Sequence, residues 1–425
     1  MNQNRVTMQN KAAGWLILLT AIFYLCASFL PLGSLWAGLC AWSAVVMCWP
    51  ALTRSSKQQS SILFGIGVLL LIWAQLVGGP VILKEAATRN LPLLTMFVAV
   101  SFLSLTNPSE EDKSQPTGRK GFWSTLGACH LLGSVINLSI VFVVGDRLAR
   151  GGKLSQRQTQ VIMRGFCSGA YWSPFFVASG VAMTYSPGAQ WQHTMIPGVL
   201  MAVAMALITF WEVKRGDIEA FKGYPLKVDS LIMPIVLATI VMVCHHLFTG
   251  IHILTLISIV APIGAVFFMP VRPRVQALSY YINGRLSNVA SQFALFLAAG
   301  VFSTGIGCLI QVYPSMVAFH ASSLTPLVFL VVSGGMILIS LIGVHPVVSI
   351  SLMAPLLAPL GASANQLAFL FLSVWGTGTA SSPLSGVGLA MISRYQATSR
   401  SILKLNFRYM ILLWLIATGV DWALF

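Results

Sequence analysis

Long uninterrupted apolar runs are the feature that most constrains how this chain folds. A membrane-spanning helix needs about 20 consecutive apolar residues, whereas a strand of a membrane barrel alternates apolar and polar residues over about 10. The runs are continuous, so they predict membrane-spanning helices and exclude a barrel. They lie near residues 14–30, 33–50, 61–78, 91–106, 195–211, 231–249, 252–269, 288–311 and 402–424.

The composition excludes the main alternatives to a membrane protein. Hydrophobic residues make up 56% of the 425 residues and charged residues only 8%, and the mean hydropathy is +0.82. A soluble domain is about 25% charged, so this chain cannot build an aqueous surface. A soluble globular protein, a disordered protein and a coiled coil are therefore all excluded.

Two further spans, 158–184 and 366–392, are interrupted near their middles by Gly, Ser and Pro. Each follows an apolar stretch, 122–149 or 324–360, that contains a polar, turn-prone segment. We interpret these two stretches as re-entrant hairpins that return to the side from which they enter. The fold class predicted is an all-α polytopic membrane protein of about 11 transmembrane helices plus two re-entrant hairpins.

The basic residues predict the orientation, because cytoplasmic loops retain Lys and Arg. With the N-terminus inside and the C-terminus outside, only Lys84 and Arg89 of the 25 basic residues fall outside. The other basic residues, Arg164 among them, form the predicted cytoplasmic set. No Lys or Arg is expected at the centre of a span. The net charge of +15 then faces an anionic inner leaflet, so we expect a multi-pass inner-membrane protein and no nucleic-acid partner.

The two hairpin-plus-broken-span segments resemble each other. Ser173-Pro174 matches Ser382-Pro383, and Gly180 matches Gly388 after a one-residue gap. The topology makes the halves antiparallel, so we predict a leading helix (1–30), a first repeat (31–215) and an inverted second repeat (216–425), each repeat with five spans. Inverted repeats with discontinuous helices are typical of secondary transporters.

The interruptions predict the binding site. Ser is a good N-cap and Pro is accepted at the first helical position, so each Ser-Pro pair is expected to begin a helix. His345-Pro346 is expected to begin the second arm of hairpin 324–360. Helix N-termini attract anions, and the expected solute-binding residues are Asn137, Ser139, Ser173, Pro174, His345, Pro346, Thr377, Thr379, Ser381, Ser382 and Pro383.

Structural roles for the same residues remain open. The Ser-Pro pairs could be kinks in ordinary spans, the Gly and Thr residues from 376 to 381 could serve helix packing, and Asn137 could bond a neighbouring helix. His345 could be a core histidine, a solute ligand or a proton carrier. None of the ten acidic residues falls at the centre of a predicted span, which favours Na⁺ over H⁺ as coupling ion. No other cofactor is expected, and Na⁺ would be held near Asn137, Gly169, Gly376 and Gly378.

This layout resembles the ion transporter superfamily, most closely the divalent anion:sodium symporters, with arsenite/sodium-proton antiporters and TRAP large permeases as relatives. The resemblance implies that hairpin tips and unwound helices bind a carboxylate and Na⁺, and that a transport domain moves as an elevator in a homodimer. The tips here are Ile136-Asn137-Leu138-Ser139 and Val344-His345-Pro346-Val347, and Asn137 is the residue that matches the family's tip motif.

The sequence thus predicts a secondary active transporter of a small, anionic, carboxylate-type solute, with an elevator mechanism and Na⁺ coupling. A cation/proton antiporter or an anion exporter of the same superfamily is the alternative. An integral membrane transferase is a more distant one, because the cytoplasmic loops lack the clustered acids, bases or metal ligands that catalysis needs. We therefore expect that the protein is not an enzyme.

Overall fold

The computed structural model describes residues 8–30, 33–80, 82–106, 115–149, 151–314 and 323–425. In these ranges the regular structure is helical, and extended pairing is limited to one isolated bridge between Thr117 and Lys222. Arg5, Lys113 and Arg150 of the predicted cytoplasmic set lie outside them. The α-helices are α1 (Met8–Phe29), α2 (Leu35–Cys48), α3 (Arg54–Leu76), α4 (Leu83–Thr88), α5 (Leu91–Ser101), α6 (Gly118–Gly127), α7 (Gly133–Ile136), α8 (Ser139–Leu148), α9 (Gln156–Cys167), α10 (Val177–Tyr185), α11 (Trp191–Lys214), α12 (Ile232–Leu247), α13 (Ile253–Phe268), α14 (Arg274–Tyr280), α15 (Ala290–Val312), α16 (Pro326–Leu341), α17 (Pro346–Leu357), α18 (Ala364–Ser381), α19 (Gly386–Tyr395) and α20 (Ser399–Leu424).

Each of the nine predicted apolar runs falls on a helix. Among the described residues, seven helical segments are long and apolar enough to cross a membrane, and α2, α13, α16 and α17 belong to shorter apolar segments. The chain is thus an all-α polytopic membrane protein, as predicted. The number of crossings and the orientation of the termini stay predictions.

In both predicted hairpins the helix is interrupted near the expected position. In the first, α7 ends at Ile136 and α8 begins at Ser139, so the break consists of Asn137 and Leu138. In the second, α16 ends at Leu341 and α17 begins at Pro346, as predicted. Whether these helix pairs return to the same side of the bilayer stays a prediction.

The broken helices differ from the prediction in where the second helix begins. A 3₁₀ turn (Ser168–Tyr171) follows α9, and α10 begins only at Val177. Likewise α18 stays helical through Ser381, and α19 begins at Gly386. The interruption of span 366–392 was expected to include its central glycines, Gly376 and Gly378, and this is wrong, because both lie inside α18, which stays helical through Ser381.

The prediction that each Ser-Pro pair begins a helix is also wrong. Both pairs lie inside the break, and the N-cap residues are Phe176 and Ser385. Each pair instead forms a turn: the Ser173 carbonyl accepts the Phe176 N–H at 3.2 Å, and the Ser382 carbonyl accepts the Ser385 N–H at 3.3 Å. Ser and Pro suit the first two positions of such a β-turn as well as they suit the start of a helix.

The described residues form two compact units that do not follow chain order. Unit 1 comprises residues 1–106, 241–320 and 351–359, apart from the undescribed positions. Inside it α3 packs on α15 with close backbone approach, since a Cβ added to Gly67 would lie 2.7 Å from the Phe302 Cα. The Asn90 side chain donates to the Phe296 carbonyl at 2.6 Å and fixes the start of α5 against α15.

Unit 2 comprises residues 107–240, 321–350 and 360–425, with the same proviso. It holds both hairpin breaks, both broken helices, α11 and α20. Each predicted repeat therefore contributes to both units, and the repeat boundaries themselves stay predictions.

Candidate functional site

All predicted site residues belong to unit 2. The tip of the first hairpin packs against the first helix break, where Ser173 Oγ donates to the Ser134 carbonyl at 2.7 Å. The tip of the second hairpin packs against the second break, because a Cβ at Gly343 would lie 2.8 Å from the Leu384 side chain. Hairpin and broken helix thus form a pair in each half.

A glycine four residues before each Ser-Pro pair makes this packing close. Gly169 faces Ser134 and Gly378 faces Ser340; a Cβ on either glycine would lie 3.1 Å from the facing serine. In both halves the serine of Ser-Pro donates its backbone N–H to that glycine's carbonyl, at 3.0 Å. The pattern Gly-x-x-x-Ser-Pro, at 169–174 and 378–383, was the sequence signal for this geometry, and the sequence analysis missed it.

The two broken helices meet each other at Tyr171 and Thr377. The Tyr171 Oη and Thr377 Oγ1 atoms lie 3.0 Å apart and are buried. Gly376 makes room for the ring, because any Cβ there would collide with it. Thr377 and Gly376 thus connect the two broken helices, and Thr377 already has a hydrogen-bond partner within the protein.

Two hydroxyls near the second break lack a hydrogen-bond partner in the described part of the chain. Thr379 Oγ1 and Ser381 Oγ are buried, and neither has a hydrogen-bond partner among the described residues. A buried polar atom without a partner costs about 1–3 kcal/mol, so such atoms call for an explanation. A solute or ion bound beside the break would supply the missing partner.

The remaining predicted residues lie at the tips. Asn137 has φ +60° and ψ −148°, a conformation that a residue with a side chain rarely adopts, and its Nδ2 lies 3.5 Å from the Phe175 carbonyl oxygen. Ser139 is the first residue of α8, while Pro174 and Pro383 lie buried in the breaks. Strained backbone of this kind, worth about 1–3 kcal/mol, clusters at functional sites.

His345 has a structural role at the second tip. Its Nδ1 accepts the Val347 N–H at 3.3 Å, directly after Pro346 begins α17, and its ring meets Trp375 edge-on at 5.2 Å. A proton on Nδ1 would break this hydrogen bond. The geometry therefore argues against His345 as the proton carrier.

The residues expected to hold Na⁺ are not gathered at one point by any contact that the structure records. The Gly169 and Gly378 carbonyls each accept a backbone N–H, and Gly376 contacts Tyr171. Clusters of three or more His, Cys, Asp or Glu side chains that could hold a metal ion are absent from the described residues. The Na⁺ site stays a prediction.

A buried arginine was missed by the sequence analysis. Arg164 lies within α9 and its side chain is 0% exposed, so it is not a solvated residue like the basic residues of the loops; its place on the cytoplasmic side stays a prediction. Its guanidinium donates to Asn406 Oδ1 at 2.8 Å and to the Leu405 carbonyl at 2.6 Å, and pairs with Glu212 Oε2 at 2.8 Å. It also stacks over the Tyr409 ring at 4.1 Å. This network joins α9, α11 and α20 one turn before the first break.

Comparison with known proteins identifies the fold. No family model and no curated protein sequence matches the chain. A crystal structure of the YdaH transporter of Alcanivorax borkumensis, described as having an unusual topology, superposes with a TM-score of 0.57 at 13% identity. The match covers 86% of this chain and 98% of that one. This polytopic membrane protein therefore shares the fold of a membrane transporter.

Proposed function

We propose that this protein is a secondary active transporter of a small, anionic, carboxylate-type solute. One observation carries the proposal: the two broken helices meet at Tyr171 and Thr377, beside buried hydroxyls that have no hydrogen-bond partner among the described residues. Non-helical backbone at membrane depth is tolerated only where protein or a water-filled cavity surrounds it. A purely structural membrane protein would gain nothing from non-helical backbone at this depth.

The helix ends favour an anion. The helices α8, α10, α17 and α19 each begin at a hairpin tip or a break, so each presents backbone N–H groups and the positive end of its dipole there. Ser139, Ser173, Pro174, Pro346, Ser382 and Pro383 lie at these helix starts or in the breaks before them. Hydroxyls and backbone N–H groups would then hold a carboxylate without any basic side chain.

An elevator mechanism is part of the proposal. Unit 2 contains every candidate site residue and unit 1 contains none. An elevator mechanism requires such an arrangement, in which one unit carries the whole binding site and the other serves as scaffold. Na⁺ coupling, a homodimer and an inner-membrane location complete the proposal, supported by the charge pattern and the resemblance described above.

A proton-coupled antiporter or exporter is the second candidate, and Asp421 favours it. This carboxylate is 1% exposed in α20; Gln366 Nε2 donates to its Oδ1 at 3.0 Å, while Oδ2 has no partner among the described residues. An acid inside a membrane span is a functional candidate by default. Asp421 replaces His345 as the residue to test for proton coupling.

Thermal unfolding of the purified protein should separate the two candidates. We expect acetate, succinate or citrate to raise the unfolding temperature in NaCl and not in choline chloride of equal ionic strength. A ligand at 100 times its Kd stabilises the folded state by about 2.7 kcal/mol, a readily measured effect. Phosphate and sulfate serve as inorganic anions in the same series.

A different result would favour the second candidate. If no carboxylate shifts the unfolding temperature, and stability instead follows pH in a way that Asp421→Asn abolishes, the carboxylate site is wrong and the antiporter is right.

Asn137 offers a test in which stability and binding move apart. Glycine adopts a positive φ without strain, so Asn137→Gly is expected to unfold at the wild-type temperature or above it. The same change removes the tip amide, and we expect at least a tenfold weaker stabilisation by the carboxylate found above. Differential scanning fluorimetry measures both effects.

Gln396→Gly is the matched control. Gln396 is the second residue with a side chain and a positive φ in the described part of the chain, at the exposed end of α19. Its replacement should also stabilise the protein and leave carboxylate binding unchanged. Equal carboxylate affinity in both variants would exclude Asn137 from the site.

A further inference from the structure

A cavity of unit 2 lies apart from the helix breaks. Its volume is about 340 Å³, and its walls are the first two turns of α9, the end of α11 and the first three turns of α20. Three basic side chains line it: Arg215, just past α11, and Lys404 and Arg408 on α20. The positive-inside pattern predicts that this end of unit 2 faces the cytoplasm.

These three cations lack a salt-bridge partner within the part of the chain that the structure describes. The described residues form three salt bridges, and none of them involves Arg215, Lys404 or Arg408. Arg215 stacks over the Trp211 ring at 3.4 Å, which fixes the plane of its guanidinium without using its N–H groups. The cavity is therefore lined by positive charges that no salt bridge among the described residues neutralises.

The one acid that lines the cavity does not cancel this charge. Glu212 Oε2 pairs with Arg164 Nη1 at 2.8 Å and accepts a hydrogen bond from Gln160 Nε2 at 2.6 Å. The buried Arg164 thus neutralises Glu212 from behind. Gln156 and Ser401 line the same cavity and add neutral hydrogen-bonding groups.

We propose that this cavity binds a phosphate-type oxyanion, supplied by the headgroup of an anionic phospholipid or by a soluble phosphate compound. Arg and Lys pair strongly with phosphate oxygens, and Arg does so through two parallel N–H donors. Basic pockets between membrane helices on the cytoplasmic side are the recognised binding places for such headgroups. The volume lies at the lower end of ligand pockets, about 300–1,000 Å³, and accommodates a headgroup.

The test compares two variants with the same loss of charge from the same helices. Arg215→Gln/Lys404→Gln removes two cations from the cavity, whereas Lys214→Gln/Arg400→Gln removes two cations from neighbouring positions that do not line it. One arm titrates inorganic phosphate at constant ionic strength in detergent. The other compares nanodiscs of phosphatidylcholine alone with nanodiscs that contain one fifth phosphatidylglycerol. The unfolding temperature of the 425-residue chain is the readout in both.

We expect phosphate or phosphatidylglycerol to stabilise the wild type and the control variant equally. In the cavity variant the half-saturating phosphate concentration should rise at least tenfold, or the phosphatidylglycerol shift should be lost. A response to the lipid alone assigns the headgroup as ligand, and a response to phosphate alone assigns a soluble compound. If neither ligand stabilises the wild type, or both variants respond alike, the site is refuted. Should the double variant not fold, Arg408→Gln against Arg400→Gln makes the same comparison.

Discussion

Replacing Glu212 with alanine is expected to lower the free energy of unfolding by about 3 kcal/mol, the lower end of the usual cost of removing one partner from a buried ion pair, because the Glu212 side chain is itself 18% exposed. The Arg164 side chain is 0% exposed, so its guanidinium would stay buried without a counter-charge. Asn406 and the Leu405 carbonyl would still accept its hydrogen bonds, but neither carries a charge. Unfolding by SDS in mixed micelles measures the loss.

Lys214→Ala is the matched control, because Lys214 is exposed and lies two residues farther along α11. Exposed substitutions of this kind stay within about 0.5 kcal/mol of wild type. A loss for Glu212→Ala no larger than that of the control would show that the pair does not hold α9 to α11.

The partner substitution completes a double-mutant cycle. Arg164→Met removes the charge and keeps an unbranched chain to pack on Tyr409. Once the charge is gone, the loss of Glu212 should cost little, so the double variant should be more stable than the sum of the two single losses by at least about 1 kcal/mol. Strict additivity would mean that the two side chains contribute independently.

The sequence analysis located the helices far better than it located the residues at which they begin. Continuous apolar runs are a property of each segment alone, and all nine of them fall on helices. A Ser-Pro pair suits the first two positions of a β-turn as well as the start of a helix, and the local sequence does not separate the two. The Ser173 and Ser382 carbonyls accept the N–H three residues later, so each pair forms a turn and the helices begin only at Val177 and Gly386.

Long-range partners explain the other failures. Gly376 and Gly378 resemble helix breakers in the sequence, yet both lie inside α18. They are glycines because Tyr171 and Ser340 fill the space that side chains would occupy. Arg164 lies near the start of the predicted span 158–184 and was grouped with the basic residues before it, because its partners Glu212 and Asn406 are 48 and 242 positions away. A signal for its burial did exist: Gln160 and Arg164 are spaced as one helix face inside the predicted span 158–184.

The unpaired hydroxyls allow the sharpest test of the proposed site. We expect Ser381→Ala to weaken carboxylate binding by roughly 10- to 100-fold, since a hydrogen bond to a charged group contributes about 1.5–3 kcal/mol. Ser381 lies one turn after Thr377, on the helix face that meets Tyr171 and the first break. Thr379, two positions earlier, points about 200° away, so Thr379→Val should have the smaller effect.

Stability should change in the opposite direction. In the absence of solute, Ser381 Oγ is buried without a partner, so its removal should raise the free energy of unfolding by about 1 kcal/mol. Ser385→Ala is the control: Ser385 Oγ accepts the Gly388 N–H at 3.1 Å and caps α19, so its loss should lower stability by about 1 kcal/mol.

A serine that only supports the fold cannot stabilise the protein by its removal and weaken ligand binding at the same time. Titration of the carboxylate against the unfolding temperature of both variants measures the two quantities together. A Ser381→Ala protein that is less stable and binds the carboxylate as wild type does would place Ser381 in the framework and leave the second break without a ligand role. A more stable protein that no longer responds to the carboxylate would instead mean that the chain retains an unpaired hydroxyl at a cost in stability because the solute is its partner.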